Sequence, residues 1–414
     1  MKVIVVGGGV VGLWTARDLA RTGAEVVVLD GPAQPAASTR ASAGWVVPVL
    51  SSPLSGPGLV ADSARAMLRG EAAFSFRSMS PDLALWMRAF VASGSAWQRA
   101  AGQRATVELA GNVRESYAAL RAEHDFELHD TGLLMVARTA EGRAEAEHLA
   151  ANAAAAGYTG KSEHLDADGV HDREPTLAPG LVGGVHARDE FHIHPEQLLA
   201  ALRNSAQDAG VRIVCSGVRA LVPATGGRWT VLTEDGSETA GKIVVAAGYW
   251  SRALLATVDV RVPLESAAGF SVTARIAEPP ALPLKLVEAN VAVTPFGEGV
   301  RLAGRFVLGR PPSKVSQRQL HKIVEAARPY LRDWRPDSVS AEYVGLRPVT
   351  PDSLPLIGEV PGRPGVLAAT GHGMLGLTLA PGTSAEVVHQ LSTGEASESG
   401  ARFALDRFTG AWSR

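Results

Sequence analysis

"KVIVVGGGVVGLWTARDLARTGAEVVVLD", residues 2–30, decides the fold. The β-branched run at 3–6 has no polar alternation, which is the pattern of a strand buried on both faces. Gly7, Gly9 and Gly12 follow in G-x-G-x-x-G spacing, and Leu13, Ala16, Leu19 and Ala20 then recur at helical spacing until Gly23. A second apolar run, residues 24–30, ends on Asp30. Strand, glycine turn, helix and strand in this order predict a parallel α/β unit of the dinucleotide-binding type. Such glycines allow a tight turn and a close approach of backbone to ligand, the helix N-terminus faces a pyrophosphate, and the carboxylate accepts ribose hydroxyls. An acid at position 30 disfavours a 2′-phosphate and hence NADP; FAD and NAD stay open on this motif alone.

Outward from this unit, residues 31–57 are rich in Pro, Ser, Gly and Ala and read as a long functional loop. Residues 59–125 read as several helices, with Trp86, Phe90 and Trp97 on apolar faces. Strands are expected at 132–137 and 211–216, helices at 140–156 and 194–210, and a hairpin with an Asp-Gly turn plus a buried strand over 228–248. Residues 258–345 read as mostly β with one helix near 316–328, and the strand at 365–370 leads through "GHGMLG" into a last helix reaching about 391. The strands of one sheet are scattered along the whole chain, so the lobes are expected to be discontinuous.

Composition bounds the function. The chain of 414 residues has 46% hydrophobic and 20% charged residues with a net charge of −2, which describes a globular protein with no field to recruit nucleic acid. Its single cysteine, Cys215, excludes an internal disulfide framework and fits a reducing compartment, so a cytoplasmic location, or one peripheral to the inner membrane, is expected. The N-terminal apolar run reads as a buried strand, not as a signal peptide. Residues 365–385 are uncharged, but their glycines, proline and hydroxyls make a spanning helix improbable, and no transmembrane segment is expected. A membrane contact through Trp86, Phe90 and Trp97 is weaker than core packing of the same rings.

Other candidates carry less. "HARDEFHIH" (186–194) sets His192 and His194 on one strand face, but no further ligand stands out and no metal is expected. No G-x-S-x-G, H-E-x-x-H or paired-cysteine motif is present, so hydrolase and zinc chemistry have no support. The glycine run at 371–376 ahead of a helix is a nest of N–H groups suited to negative charge, and His372 within it is either a base or a structural histidine. Arg347, in "VGLRPVTPDSLPLIG" (344–358), is a cation in an apolar, proline-rich stretch with no obvious local partner.

With these pieces in view the chain resembles the D-amino-acid oxidase superfamily of FAD-dependent oxidoreductases, and within it the D-amino-acid dehydrogenase and glycine oxidase branch. The resemblance rests on "VIVVGGGVVGL" (3–13) with Asp30, "ASAGWVVP" (41–48), "DLALWMRAF" (82–90), "IHPEQLLAAL" (193–202), "IVVAAGYWS" (243–251), "GLRPVTPDSLPLIG" (345–358) and "TGHGMLGLTLAPG" (370–382). It implies an α/β fold in which a Rossmann-like FAD-binding domain (1–60, 160–250 and 345–414) is interleaved with an α+β substrate domain built on a large antiparallel sheet (61–159 and 251–344). It further implies Gly7, Gly9, Val10, Val11 and Gly12 at the pyrophosphate and Asp30 with Gly31 at the adenosine ribose. Ser38, Ala43 and Gly44 are implied along the pyrophosphate and flavin, Val218 near the adenine, and Ala247, Gly248 and Trp250 beside the cofactor. Gly373, Met374, Leu375 and Gly376 are implied at the flavin pyrimidine edge, and Arg347 on the substrate carboxylate. Tyr343 and Tyr249 are candidate pocket hydroxyls.

The implied activity is oxidative deamination of a D-amino or cyclic imino acid. Hydride passes from the substrate Cα to flavin N5 of non-covalent FAD, and dioxygen, a quinone or another carrier takes the electrons. Met374 stands where glycine oxidases have a second arginine, which argues against glycine as the preferred substrate. "PLESAAGFSV" (263–272) departs from the lysine-glycine-aromatic pattern of the dehydrogenases. Alternatives are an FAD enzyme acting on an N-methyl amino acid or a 2-hydroxy acid, an NAD-linked dehydrogenase, and a non-catalytic flavin-binding subunit of a larger oxidoreductase.

Overall fold

A computed structural model describes residues 1–31, 36–56, 74–297, 299–312, 314–332 and 338–408. The expected boundary at 60/61, and the first part of the helical stretch, 59–73, lie outside the described residues. Around the opening motif a six-stranded sheet forms in the order Arg212–Cys215, Glu25–Asp30, Lys2–Val6, Lys242–Val245, Val366–Thr370, Leu356–Glu359. Its pairs are parallel except for the last, which is antiparallel. The central strand is buried as its unalternating sequence requires: Val3, Ile4 and Val5 are all fully buried. The helix Val10–Arg21 starts from Gly9 and ends where Gly23 takes a φ of +88°. It packs one face of the sheet together with the helices Pro195–Asp208 and Gly376–Thr393.

The second sheet has nine strands. Eight run in the order Ser338–Val349, Glu265–Arg275, Gly299–Leu308, Val291–Phe296, Leu284–Leu286, Leu133–Ala137, Gly183–Ala187, Ser162–Leu165, and Phe74–Phe76 adds to the end of Gly299–Leu308. The expectation of an antiparallel sheet holds for most pairs. Two are parallel: Leu284–Leu286 with Leu133–Ala137, and Phe74–Phe76 with Gly299–Leu308. Long-range crossovers bring these strands together, so no hairpin dictates their direction.

The segment boundaries drawn from sequence differ from the pairing. Ser162–Leu165 and Gly183–Ala187, expected with the nucleotide lobe, are strands of the large sheet. Helices Ala96–Leu109 and Val113–Glu123, expected with the substrate lobe, place Ala105, Val113, Tyr117 and Leu120 in the core of the nucleotide sheet. Gly382 shows how closely they pack, because a Cβ there would stand 1.8 Å from the Leu109 carbonyl oxygen. We propose that the lobes divide along the two sheets rather than at 160. Trp86 and Phe90 stack on each other at 5.1 Å and are buried against the large sheet, whereas Trp97 is exposed. Among the described residues no helix is long and apolar enough to cross a membrane.

Candidate active site

A cavity of about 760 Å³ opens where the C-terminal ends of the parallel strands meet the large sheet. This is where ligands bind in open α/β sheets, because the strand ends release the chain into loops and helix N-termini. At one end the fingerprint forms its floor. Gly7 has a φ of +111°, and a Cβ on it would lie 2.5 Å from the Ala246 carbonyl oxygen. Gly12 is closed from the other side, since its Cβ would lie 1.9 Å from the Gly7 oxygen; it packs helix on strand and does not line the cavity. Gly9 differs from both. A Cβ there would meet only Thr39 Oγ1, at 3.7 Å, so nothing in the protein demands glycine and the missing side chain leaves room on the cavity side.

Asp30 sits at this end, its Oδ1 accepting from the Gly8 N–H at 2.9 Å and its Oδ2 from Arg203 Nη2 at 3.2 Å. A side chain at Gly8 would strike the Asp30 carboxylate at 2.3 Å, so the middle glycine is set by the acid. Gly31, Gly217 and Val218 continue the lining, and the wall is closed by Glu196, Leu199 and Arg203 of one helix face. Sequence reading missed Gly8, Glu196 and Arg203; the spacing of the last two with Leu199, near i, i+3 and i+7, was the available signal.

The middle is lined by Ser38, Thr39, Arg40, Ala41 and Ser42, and opposite them by Ala247, Gly248 and Trp250. Ala43 and Gly44 lie just outside. The Ala43 carbonyl is taken by Thr294, and Gly44, with a φ of +75°, is glycine because a Cβ would sit 2.1 Å from the Ile193 oxygen.

Arg347 lies at the far end with Gly269, Gly345, Gly373, Met374 and Gly376. Its guanidinium covers Gly269 face-on: a Cβ there would stand 2.4 Å from Cζ, Nη1 and Nη2 alike. Nη1 donates to the Arg305 carbonyl at 2.8 Å. That carbonyl is turned inward by a bulge opposite Gly269, where Arg305 adopts a φ of +68°. Burial pushes the Arg347 pKa down to about 10, which leaves it charged at neutral pH. Among the described residues no carboxylate pairs with it.

His372 touches the cavity, but its Nε2 shares a hydrogen bond with Thr383 Oγ1 at 2.9 Å. Burial holds its pKa down to about 3. A neutral, tethered ring fits the structural alternative. Leu375 does not line the cavity and gives its N–H to the His372 carbonyl. Tyr343 also turns away from it: its hydroxyl donates to Glu196 Oε1 at 3.2 Å and its ring lies under Arg301. Tyr249 packs against the large-sheet core. In the histidine cluster His192 stacks on His129 at 4.9 Å and His186 bonds Arg173 and the Thr131 carbonyl. Among the described residues no group of three His, Cys, Asp or Glu is placed to hold a metal.

The sequence family described as FAD dependent oxidoreductase matches residues 2–390. The chain belongs to that family. This FAD-dependent oxidoreductase is 30% identical to a D-amino acid dehydrogenase of Vibrio vulnificus over 423 aligned residues, covering 99% of this chain and 100% of that one. It is also 30% identical to a D-amino acid dehydrogenase of Rhizorhabdus wittichii, over 99% of this chain. Among solved structures it resembles glycine oxidase from Bacillus cereus, with a TM-score of 0.75 and 21% identity over 99% of both chains. Iminodiacetate oxidase from Chelativorans sp. follows with a TM-score of 0.72 and 20% identity over 97% of this chain. At those identities the structures speak for the fold alone. The cavity fits the family's cofactor: a floor opened at Gly9, a carboxylate at one end and a helix N-terminus at the other are what a dinucleotide with a flavin requires.

Proposed function

We propose that this enzyme oxidises a small amino or cyclic imino acid, of the D series as in the relatives' names, at its Cα. The observation that carries the reading is Arg347, a half-buried cation lining the cavity with no carboxylate partner among the described residues. Removing a guanidinium from water without a counter-ion is costly, and a substrate carboxylate entering on a bidentate fork supplies the missing charge. The Arg305 carbonyl and the bare face of Gly269 hold the fork in one orientation, which presents the substrate's Cα–H in a fixed direction. FAD, when bound, supplies the hydride acceptor, and we propose that Gly7 to Val11, Asp30, Ser38, Ala247, Gly248, Gly373, Met374 and Gly376 would hold it. Attachment is non-covalent in this reading, because Cys215 is exposed and stands level with Asp30 in strand register, away from Arg347 and outside the cavity lining.

The N-terminus of the helix Gly376–Thr393 favours negative charge at the Arg347 end of the cavity. His372 takes no proton in this reading; the substrate binds with its amine neutral, loss of hydride from Cα leaves an iminium, and the iminium gives its proton to solvent as it leaves or is hydrolysed. Electrons leave to dioxygen or to a quinone-type carrier.

Anaerobic loss of the flavin's visible absorbance with a panel of D-, L- and cyclic amino acids, N-methyl amino acids and 2-hydroxy acids identifies the substrate, and admission of air distinguishes the acceptors. Arg347→Ala should weaken apparent substrate affinity by about two orders of magnitude, and Arg347→Lys, which keeps charge and loses the fork, by roughly tenfold. Near-wild-type affinity in both variants overturns the assignment.

A further inference from the structure

Behind the middle of the cavity, side chains of the large sheet take four consecutive backbone carbonyls. Arg301 Nη1 donates to the Arg40 oxygen at 3.0 Å and to the Ser42 oxygen at 3.1 Å. Ser271 Oγ donates to the Ala41 oxygen at 3.0 Å, and Thr294 Oγ1 to the Ala43 oxygen at 2.9 Å. The three donors stand on three adjacent strands, Glu265–Arg275, Gly299–Leu308 and Val291–Phe296. The four acceptors belong to the segment whose residues 37–42 line the cavity.

Arg301 is 2% exposed, and among the described residues no ion pair joins it to a carboxylate. Two rings enclose its guanidinium, Phe296 at 5.2 Å and Tyr343 at 4.8 Å, and Nε donates to Thr273 Oγ1 at 3.0 Å. Its contacts are therefore π faces, a hydroxyl and two carbonyls, with the Glu196 carboxylate, which accepts from Tyr343, acting on it without touching it. A buried cation with no carboxylate in contact is expensive and needs several strong acceptors. Within the segment the Ser42 N–H is taken by the Thr39 carbonyl and the Gly44 N–H by Ser42 Oγ, so turn and clamp together fix the backbone of a wall that a bound dinucleotide would face.

We propose that Arg301, with Ser271 and Thr294, is a positioning device: a clamp that holds residues 40–43 by their carbonyls and so shapes the cofactor-facing wall before FAD arrives. The inference rests on FAD occupying this cavity, and it makes the affinity for FAD depend on residues that do not line it.

Two readouts on the full-length apoprotein test the clamp. The first is limited trypsinolysis at Arg40, which is exposed and whose carbonyl is the one Arg301 holds. The second is the Kd of FAD from quenching of its fluorescence. Arg301→Met should raise the rate of cleavage after Arg40 by about tenfold or more and weaken FAD binding by about 10- to 100-fold, the size of a lost charge-assisted bond. Arg301→Lys should fall between Met and wild type in both. Ser271→Ala and Thr294→Val each remove one neutral bond, and each should weaken FAD binding by about three- to tenfold with the apoprotein melting temperature nearly unchanged. These mild variants decide the matter if Arg301→Met fails to fold. Faster cleavage with an unchanged Kd in every variant overturns the positioning role, as does an unchanged Kd with unchanged cleavage. A wild-type apoprotein that binds no FAD would instead overturn the cavity's assignment to FAD.

Discussion

Arg347 and Gly269 define each other at the residue scale. The guanidinium occupies the space a side chain at Gly269 would need, 2.4 Å from an added Cβ. Gly269→Ala must therefore push the fork off its seat while leaving its charge in the cavity. The expected result is a KM raised by about 10- to 100-fold with kcat much less affected, which steady-state kinetics on a reactive amino acid can measure; an unchanged KM would show that the seat does not matter. His372 is the contrasting case. With a pKa near 3 it stays neutral across the working range, so it contributes no titrating limb. His372→Gln should keep the wild-type shape of the kcat/KM profile between about pH 6 and 9 and cost only a few-fold in rate. Loss of a limb with an apparent pKa of about 6 to 7 would restore histidine as a base.

At the scale of the element, the strand-turn-helix fingerprint separates glycines by purpose, and the separation is measurable. Gly12→Ala drives a Cβ into the Gly7 oxygen at 1.9 Å and should destabilise the apoprotein by roughly 1–3 kcal/mol or prevent folding. Gly9→Ala meets no protein atom closer than 3.7 Å, so the apoprotein melting temperature should hold while FAD affinity drops by about tenfold or more. Equal melting shifts in the two variants would contradict this reading. The element was legible because it is local: residues 2–30 carry the strand period, the glycines and the carboxylate in one continuous stretch. The clamp was not. Ser271, Thr294 and Arg301 sit in strands whose alternation says only which face they share, and what they face, residues 40–43, is more than 200 residues away in sequence. Tyr343 was misread for a related reason, since it shares a strand face with Arg347 but meets Glu196 and Arg301 instead of the cavity.

Across the whole molecule, three buried groups whose pKa values move in opposite directions shape the pH dependence of stability. Glu190 is fully buried behind the 48–50 turn, accepting the Val49 N–H at 3.1 Å, and burial raises its pKa from 4.5 to about 8. Burial lowers the pKa of His192 from 6.5 to about 4, with the neighbouring His129 adding to the effect, and that of His372 from 6.5 to about 3. Between about pH 6.5 and 8 the unfolded chain has released the Glu190 proton and the native protein keeps it, so this group makes stability fall as pH rises, by about 1.4 kcal/mol per unit. Between about pH 4.5 and 6.5 the unfolded chain gains two histidine protons that the native protein refuses. Against one proton retained at Glu190, the balance of the three makes stability rise with pH by about 1.4 kcal/mol per unit. Their combined contribution therefore peaks near pH 6.5. Glu190→Gln keeps the shape of the protonated acid and removes its titration, while every other group stays common to both proteins. The difference between variant and wild type in urea-unfolding free energy should then become steadily more favourable to the variant from about pH 4.5 to 8 and level off on either side. A difference that does not change with pH would mean that Glu190 is ionised in the native protein and that its burial is offset by a partner.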